Sequence, residues 1–259
     1  MSVPQPRFIG DSQRPLFALL DGNPATAKAL LVVCPPLLHE QFLGYRMLAL
    51  MCRRLATQGW ATLRFDYFGS GDSGGDDGDF SLFGASADTR TAIAWMRERS
   101  SARLLLAGVR GGAWPATASM DAADRLLLWQ PLASGGEWLG DLITSDLAQR
   151  SDRLRFPLLP ELPKPADDDW LLGSFCPASL RNELLTAEWP GAPGIPVDLA
   201  APAESTLIGR WPWSRRVTLG PVVAGWVDKI DMQNRSLFGD ELWAATDWIG
   251  ASFDVGEPA

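Results

Sequence analysis

The 259-residue sequence has few features suited to binding a nucleic acid or a membrane. Its formal net charge is −8 at pH 7, and no run rich in lysine or arginine is present that would neutralise phosphates. No uninterrupted apolar stretch reaches the length needed to cross a bilayer, and the N-terminus lacks the basic and apolar regions of a signal peptide. We therefore expect a cytoplasmic protein with no nucleic-acid partner and no membrane span.

Cysteine and histidine are also scarce. The three cysteines, Cys34, Cys52 and Cys176, are widely spaced and odd in number, so they fit neither a disulfide framework nor a zinc site. We expect reduced thiols that pack as small apolar groups, with Cys34 buried and inert rather than a nucleophile. The only histidine is His39. The sequence predicts no metal and no cofactor.

Apolar runs alternate with segments of helical periodicity in the first half of the chain. This alternation predicts an α/β fold with a mainly parallel sheet covered by helices on both faces. The predicted strands lie near residues 29–34, 61–66, 103–107 and 125–130. Two apolar runs around an Asp-Gly-Asn-Pro turn signal, in residues 16–34, predict a hairpin-like start. We expect residues 1–259 to form a single domain.

After about residue 150 the periodic signal weakens, and this half of the chain is predicted to be irregular and cap-like or degenerate. Residues 151–215 include a proline-rich, acidic stretch that suits a cap or an excursion over the sheet. The stretches "IPVDLAAP" and "RVTLGPVVAGWV" predict short late strands. The stretch "GDELWAATDWIGASF" predicts a closing helix capped by Asp240.

Tryptophan is abundant in this second half. It holds seven of the twelve tryptophans, and "GRWPWSRR" at 209–216 is their sharpest cluster. These side chains either fill the core or form a surface that faces a protein partner or a glycan.

The stretch "LLLAGVRGGA" at 104–113 ends in Gly108-Val109-Arg110-Gly111-Gly112, which has the spacing of G-x-S-x-G with arginine in the serine position. Together with "RFDYFGSGDSGG", it resembles the α/β-hydrolase fold. The stretches "VVCPPLLHEQFLGYRM" and "LLLWQPLASGGEWL" add a narrower resemblance, to the group called exosortase A system-associated hydrolase 2. The resemblance covers about residues 15–150. It implies an α/β-hydrolase-like fold and a link to exopolysaccharide synthesis or export, but no particular activity.

The catalytic triad of that fold is not matched. The triad runs serine, acid, histidine in chain order, with histidine as the base. Arg110 stays protonated and offers no lone pair, and no histidine follows it. We therefore expect a non-catalytic accessory or binding protein. One alternative is an unorthodox esterase-like or thioesterase-like hydrolase or acyltransferase, with Ser134 as a displaced nucleophile beside His39. Another is a structural assembly partner.

Four polar residues of the glycine-rich loop, Ser70, Ser73, Asp66 and Asp72, are further candidates for chemistry. Serine in such a loop more often satisfies the backbone of its own turn. The two carboxylates are expected to cap the loop or to pair with nearby cations, rather than to act as acid and base.

Arg110 is expected at the top of the sheet, where the following helix begins and an anion is favoured. In one interpretation an internal carboxylate holds it. Glu40, brought over by a loop stiffened by Pro35 and Pro36, is the first candidate, and Asp66 or Asp72 is the next. In the other, a site of Arg110, Gly111, Glu40 and His39 binds an anionic, acyl or glycan small molecule. Both hold if Glu40 takes one edge of the guanidinium and a ligand takes the other.

Overall fold

A computed structural model describes residues 3–152, 169–189, 191, 193–220, 226 and 239–253. The strands are β1 (Gln5–Ile9), β2 (Leu16–Asp21), β3 (Ala29–Cys34), β4 (Trp60–Phe65), β5 (Leu104–Val109), β6 (Arg125–Trp129), β7 (Trp170–Leu171), β8 (Ser174–Phe175), β9 (Val197–Ala201) and β10 (Arg215–Thr218). The helices are α1 (His39–Thr57), α2 (Leu82–Arg97), α3 (Ala113–Ala118), α4 (Gly135–Ser151), α5 (Ala178–Leu185) and α6 (Gly239–Gly250).

Eight strands form one sheet in the order β1-β2-β4-β3-β5-β6-β9-β10, and β7 and β8 pair separately. Strands β1 and β2 are antiparallel to their neighbours, whereas every pairing from β4 to β10 is parallel. The carboxyl ends of the parallel strands therefore meet along one edge of the sheet. The mainly parallel sheet predicted from the sequence is confirmed.

Helices cover both faces of this sheet. Alternate residues of β3 point to opposite sides, so Leu30 and Val32 belong to one apolar cluster and Leu31 and Val33 to another. The first cluster includes residues of α2 to α5, and the second includes residues of α1 and α6. Every residue of β3 is buried, which is why a central strand of this kind is a continuous apolar run.

The four strands predicted in the first half are present, each within two residues of the expected bounds. The range 29–34 is matched fully by β3. The two late stretches contribute β9 and β10. Residues 221–225 and 227 of the second stretch lie outside the described residues.

The predicted hairpin between the two apolar runs in residues 16–34 is wrong. Strand β2 pairs antiparallel with β4, and β3 pairs parallel with β4, so β4 lies between them. The turn signal between β2 and β3 forms a short 3-10 turn, Pro24–Thr26, whose backbone is capped by the Asn23 side chain. The hairpin is formed instead by β1 and β2. Strand β1 has no apolar pattern in the sequence, because four of its five residues are exposed.

The predictions for the second half of the chain also need partial correction. Strand β9 falls inside the range 151–215 predicted as a cap or excursion, and it pairs with β6 in the main sheet. Residues 153–168, most of the proline-rich stretch, lie outside the described residues. The closing helix begins at Gly239, and Asp240 therefore lies in its first turn rather than at the cap. A carboxylate there still interacts favourably with the helix dipole.

Most of the tryptophans in the second half fill the core. Of the seven, three are buried and three are half-buried, and Trp170 alone is exposed. A chain of five indole rings with centroids 5.5–6.1 Å apart joins Trp138, Trp114, Trp189, Trp211 and Trp213. This packing supports the core-filling interpretation, including for the "GRWPWSRR" cluster.

Candidate functional site

The turn after β5 holds Arg110 in a left-handed conformation, with φ of 51°. A 3-10 turn, Arg110–Gly112, then leads directly into α3. The flanking glycines allow close approach: a Cβ on Gly108 would lie 2.6 Å from the Cα of Ala113, and one on Gly112 would overlap the carbonyl oxygen of Pro35. The tight strand–turn–helix geometry predicted for Arg110 is confirmed.

Arg110 forms an ion pair with Glu40. Its Nη2 donates to Glu40 Oε1 at 2.8 Å, and its Nε donates to Oε2 at 3.1 Å. The indole Nε1 of Trp138 donates to the same Oε1 at 3.1 Å. Glu40 is only 3% exposed, so its charge requires these partners. The pairing predicted from the sequence is confirmed.

Glu40 and His39 lie in the first turn of α1, not in a loop as expected. The connection after β3 is only four residues long, because α1 begins at His39. Leu38, at the N-cap, has φ of 54° and ψ of −138°. The helix backbone therefore fixes Glu40 over Arg110 more rigidly than a loop would, and the dipole of α1 favours its charge.

The other carboxylates proposed for Arg110 lie elsewhere. Asp66 accepts hydrogen bonds from Gln41 Nε2 at 2.9 Å and from the backbone N–H of Asp72 at 3.0 Å. Burial raises the pKa of Asp66 above its usual range. Asp66 thus caps the glycine-rich loop, as one of the two sequence interpretations proposed.

The loop serines also satisfy their own turn. Ser73 Oγ donates to the carbonyl oxygen of Asp66 at 2.6 Å and accepts from the N–H of Phe17 at 2.8 Å. Ser70 Oγ donates to the carbonyl oxygen of Tyr67 at 2.9 Å. Both roles were predicted.

A cavity of about 320 Å³ opens beside the Arg110–Glu40 pair. Its described lining is His39, Glu40, Leu43, Arg110, Trp138, Asp141, Leu142, Thr144, Ser145, Gln149, Leu172 and Trp226. Three of the four predicted binding residues therefore line one cavity. Gly111 does not, because the Leu37 side chain covers it: a Cβ there would lie 2.9 Å from Leu37 Cγ.

The sequence analysis missed the contribution of α4 to this cavity. Trp138, Asp141, Leu142, Ser145 and Gln149 recur at helical spacing, so one face of α4 forms a wall. That spacing was visible in the sequence, but only the sheet topology shows which neighbour the face meets.

Ser134 is the N-cap of α4, and its Oγ accepts from the N–H of Glu137 at 3.1 Å. It is not among the described residues that line the cavity, whereas His39 is. The structure therefore does not bring this proposed nucleophile and base into one cavity.

Backbone strain gathers around the same cavity. Outside glycine, the described residues with positive φ are Leu38, Arg110, Gln130 and Leu172. Arg110 and Leu172 line the cavity, and Leu38 precedes His39. Gln130 accepts a hydrogen bond from the indole of Trp226, another lining residue, at 2.8 Å. Each such conformation costs about 1–3 kcal/mol, and strain of this kind concentrates at functional sites.

We expect the thiols to be unreactive in the folded protein. All three are buried, and burial raises the pKa of Cys34 to about 12 and of Cys52 to about 11. Because the thiolate is the reactive form, an aromatic disulfide reagent at pH 8 should not titrate them within minutes. Unfolding in guanidinium should release three thiols per chain. Rapid labelling of the folded protein would contradict the buried placement.

Within the described ranges, no histidine, cysteine and carboxylate side chains cluster as a metal site would require. No described helix combines the length and apolarity of a membrane span.

No protein-family model matches the sequence, and no curated protein does. Several solved structures are similar. Est1E from Butyrivibrio proteoclasticus, with ferulic acid bound, is 15% identical over 94% of this chain and 96% of its own, with a TM-score of 0.62. Mouse alpha/beta hydrolase domain-containing protein 10 is 16% identical over 95% and 98%, with a TM-score of 0.55. The thioesterase domain from the curacin biosynthetic pathway is 17% identical over 96% and 99%, with a TM-score of 0.53.

This chain has the α/β-hydrolase fold. At these identities the similarity establishes the fold and not the activity.

In catalytic α/β hydrolases, the oxyanion hole combines the N–H of the residue after the nucleophile with an N–H from the loop after the third strand. Here that loop begins with Pro35 and Pro36, neither of which has an N–H. Gly111, the residue after the elbow, lies beneath Leu37. This α/β-hydrolase fold therefore departs from the catalytic pattern at the nucleophile, at the base and at the first positions of the oxyanion loop.

Proposed function

We propose that this α/β-hydrolase-fold chain is a non-catalytic binding protein whose ligand site is the cavity beside Arg110. The observation that carries the proposal is the Arg110–Glu40 ion pair, which occupies the elbow where the fold otherwise holds a serine nucleophile. The clustering of strained residues around this cavity also supports a binding role, because such strain is unfavourable unless the surroundings enforce it.

The chemistry of the pair supports the absence of catalysis. A guanidinium has no lone pair with which to attack a carbonyl carbon. Hydrogen bonds from Arg110 and Trp138 already engage both oxygens of Glu40, so it could take a proton from a ligand only by breaking them. The pair therefore positions groups for binding and offers neither a nucleophile nor a base.

The alternative enzyme uses Ser134 as nucleophile and His39 as base, as an esterase or acyltransferase. It has less support, because Ser134 caps a helix and does not line the cavity that contains His39. The similar solved structures include Est1E with ferulic acid bound and a thioesterase domain, so ester substrates are the appropriate test of this alternative.

Purified protein is expected to hydrolyse p-nitrophenyl acetate and butyrate no faster than background. A fluorophosphonate probe is expected not to label it, because arginine holds the elbow position of the nucleophile and no histidine follows it. An Arg110→Ser variant should also stay inactive, since the base would still be lacking. The measurements are absorbance at steady state and intact mass after labelling.

A known serine esterase treated in parallel serves as the positive control for both measurements. Steady turnover that survives further purification and disappears in a Ser134→Ala variant would establish the alternative enzyme instead.

We further propose an accessory role in exopolysaccharide synthesis or export, which rests on the resemblance of residues 15–150. Deleting the gene from its host is expected to reduce secreted polysaccharide. Wild-type and Ser134→Ala genes should restore secretion equally. Neither the binding role nor the accessory role needs the Ser134 hydroxyl. Unchanged secretion in the deletion strain would overturn the accessory role.

A further inference from the structure

The cavity beside Arg110 points to one class of ligand. We infer that it binds a neutral, polyhydroxylated ring about the size of one sugar unit, in preference to an anion. This inference rests on the proposed binding function and specifies its ligand.

The charges around the cavity disfavour an anion. Glu40 already neutralises the Arg110 guanidinium in a paired geometry. Asp141 adds a second, exposed carboxylate to the lining. Apart from His39, the described lining therefore carries two negative charges and one positive charge. The chain as a whole has a net charge of −8, so an anionic ligand meets repulsion both locally and at long range.

One nitrogen of Arg110, Nη1, makes no hydrogen bond to the described residues and can donate to a neutral ligand. Its hydrogen bonds to described residues use Nε and Nη2, both directed at Glu40. Nη1 takes no part in them. Because Arg110 lines the cavity, a hydroxyl or ring oxygen of a ligand is a suitable acceptor for Nη1.

Helix α4 supplies a row of polar side chains along the same cavity. Asp141, Ser145 and Gln149 are four residues apart and therefore lie one turn from each other, at about 6 Å spacing. Asp141 offers a carboxylate and Ser145 a hydroxyl. A ligand with several hydroxyl groups has donors and acceptors at similar intervals, so it can bind both.

Aromatic and aliphatic side chains form the remaining walls. Trp138 and Trp226 are each 2% exposed, and both line the cavity. At this exposure the two indoles form the apolar floor of the cavity and contribute little open ring face. A volume of about 320 Å³ is at the low end for small-molecule sites, which suits one ring rather than a chain of rings.

The test is binding of a panel of small saccharides to the full chain, measured by saturation-transfer NMR and titration calorimetry. The panel contains methyl glucopyranoside, methyl galactopyranoside and methyl mannopyranoside as neutral rings, with glucuronate and glucose 6-phosphate as anions. We expect at least one neutral ring to bind and the matching anions to bind about tenfold more weakly or not at all.

Substitutions on α4 locate the binding. Ser145→Ala and Asp141→Ala should each reduce the affinity for the neutral ring by about three- to tenfold, the effect of losing one hydrogen bond. Neither side chain is buried, so both variants should retain the wild-type melting temperature. Glu137→Ala is the matched control: it removes an exposed carboxylate from the same helix outside the cavity lining, and it should leave the affinity unchanged.

Tighter binding of glucuronate or the phosphate than of the neutral rings would overturn the inference. So would neutral-ring binding that is insensitive to both α4 substitutions. If no saccharide binds while the protein remains inert to esters and fluorophosphonate, the saccharide inference fails and the non-catalytic role stands. Labelling by fluorophosphonate would instead overturn the proposed function.

Discussion

Glu40→Ala is expected to lower the free energy of unfolding by about 3–5 kcal/mol. The substitution removes the carboxylate that pairs with Arg110, whose side chain is only 14% exposed. It also removes the acceptor for the buried indole N–H of Trp138. Both groups would then be desolvated without a partner. Urea-induced unfolding followed by circular dichroism measures the loss, with the m-value checking that the compactness of the end states is unchanged.

The informative control removes both charges at once. Glu40→Leu combined with Arg110→Met should cost far less than Glu40→Ala, because no unpaired charge remains in the interior. Two results would refute this account: a loss below about 1 kcal/mol for Glu40→Ala, or a double variant as unstable as the single one.

Asp198→Ala is expected to have a destabilising effect of similar size, about 3–5 kcal/mol. Asp198 lies on β9, is 0% exposed, and accepts two hydrogen bonds from Arg125 on β6, both at 2.9 Å. Nη1 of Arg215 on β10 lies 3.8 Å from the same carboxylate. Removing it leaves two guanidinium groups, one on each strand beside β9, without the carboxylate between them. Thermal and urea unfolding both report this loss.

The chain provides a matched control in Asp247→Ala. Asp247 accepts from Arg54 with the same two-bond geometry, at 2.6 and 2.8 Å, but its side chain is 47% exposed. Water and salt screen an exposed pair, so this variant should lose less than about 1 kcal/mol. Equal losses for the two variants would show that burial does not determine the strength of these pairs.

The central strands could be predicted because their physical cause is local. A parallel strand buried on both faces needs apolar residues at every position, and β3 and β5 are such runs. The Arg110 elbow follows from the same reasoning, since the glycines at 108 and 112 mark a turn with close backbone approach.

The pairing of β2 could not be predicted in that way. Its place beside β4 depends on contacts between residues about forty positions apart, and the turn signal after β2 says only that the chain changes direction. Strand β1 was missed for a related reason: it is an edge strand with mostly exposed side chains, so its pattern lacks an apolar face.

The candidate site likewise has one part that could be predicted from the sequence and one that could not. The Arg110–Glu40 pair was predictable, because a guanidinium at the top of a buried strand requires a carboxylate and Glu40 follows the neighbouring strand by six residues. The wall formed by α4 was not, because Asp141 and Ser145 look like any solvated helix face until the cavity opposite them is known.

The mutual dependence of Arg110 and Glu40 also limits how this chain can evolve. A single change of Arg110 to serine, the residue of a hydrolase elbow, leaves the Glu40 carboxylate buried without its cation. A single change of Glu40 leaves the guanidinium in the same position. Each variant with only one of the two residues replaced therefore has a lower folding stability. Replacing both residues together avoids this loss. The ion pair therefore disfavours any single substitution at the elbow.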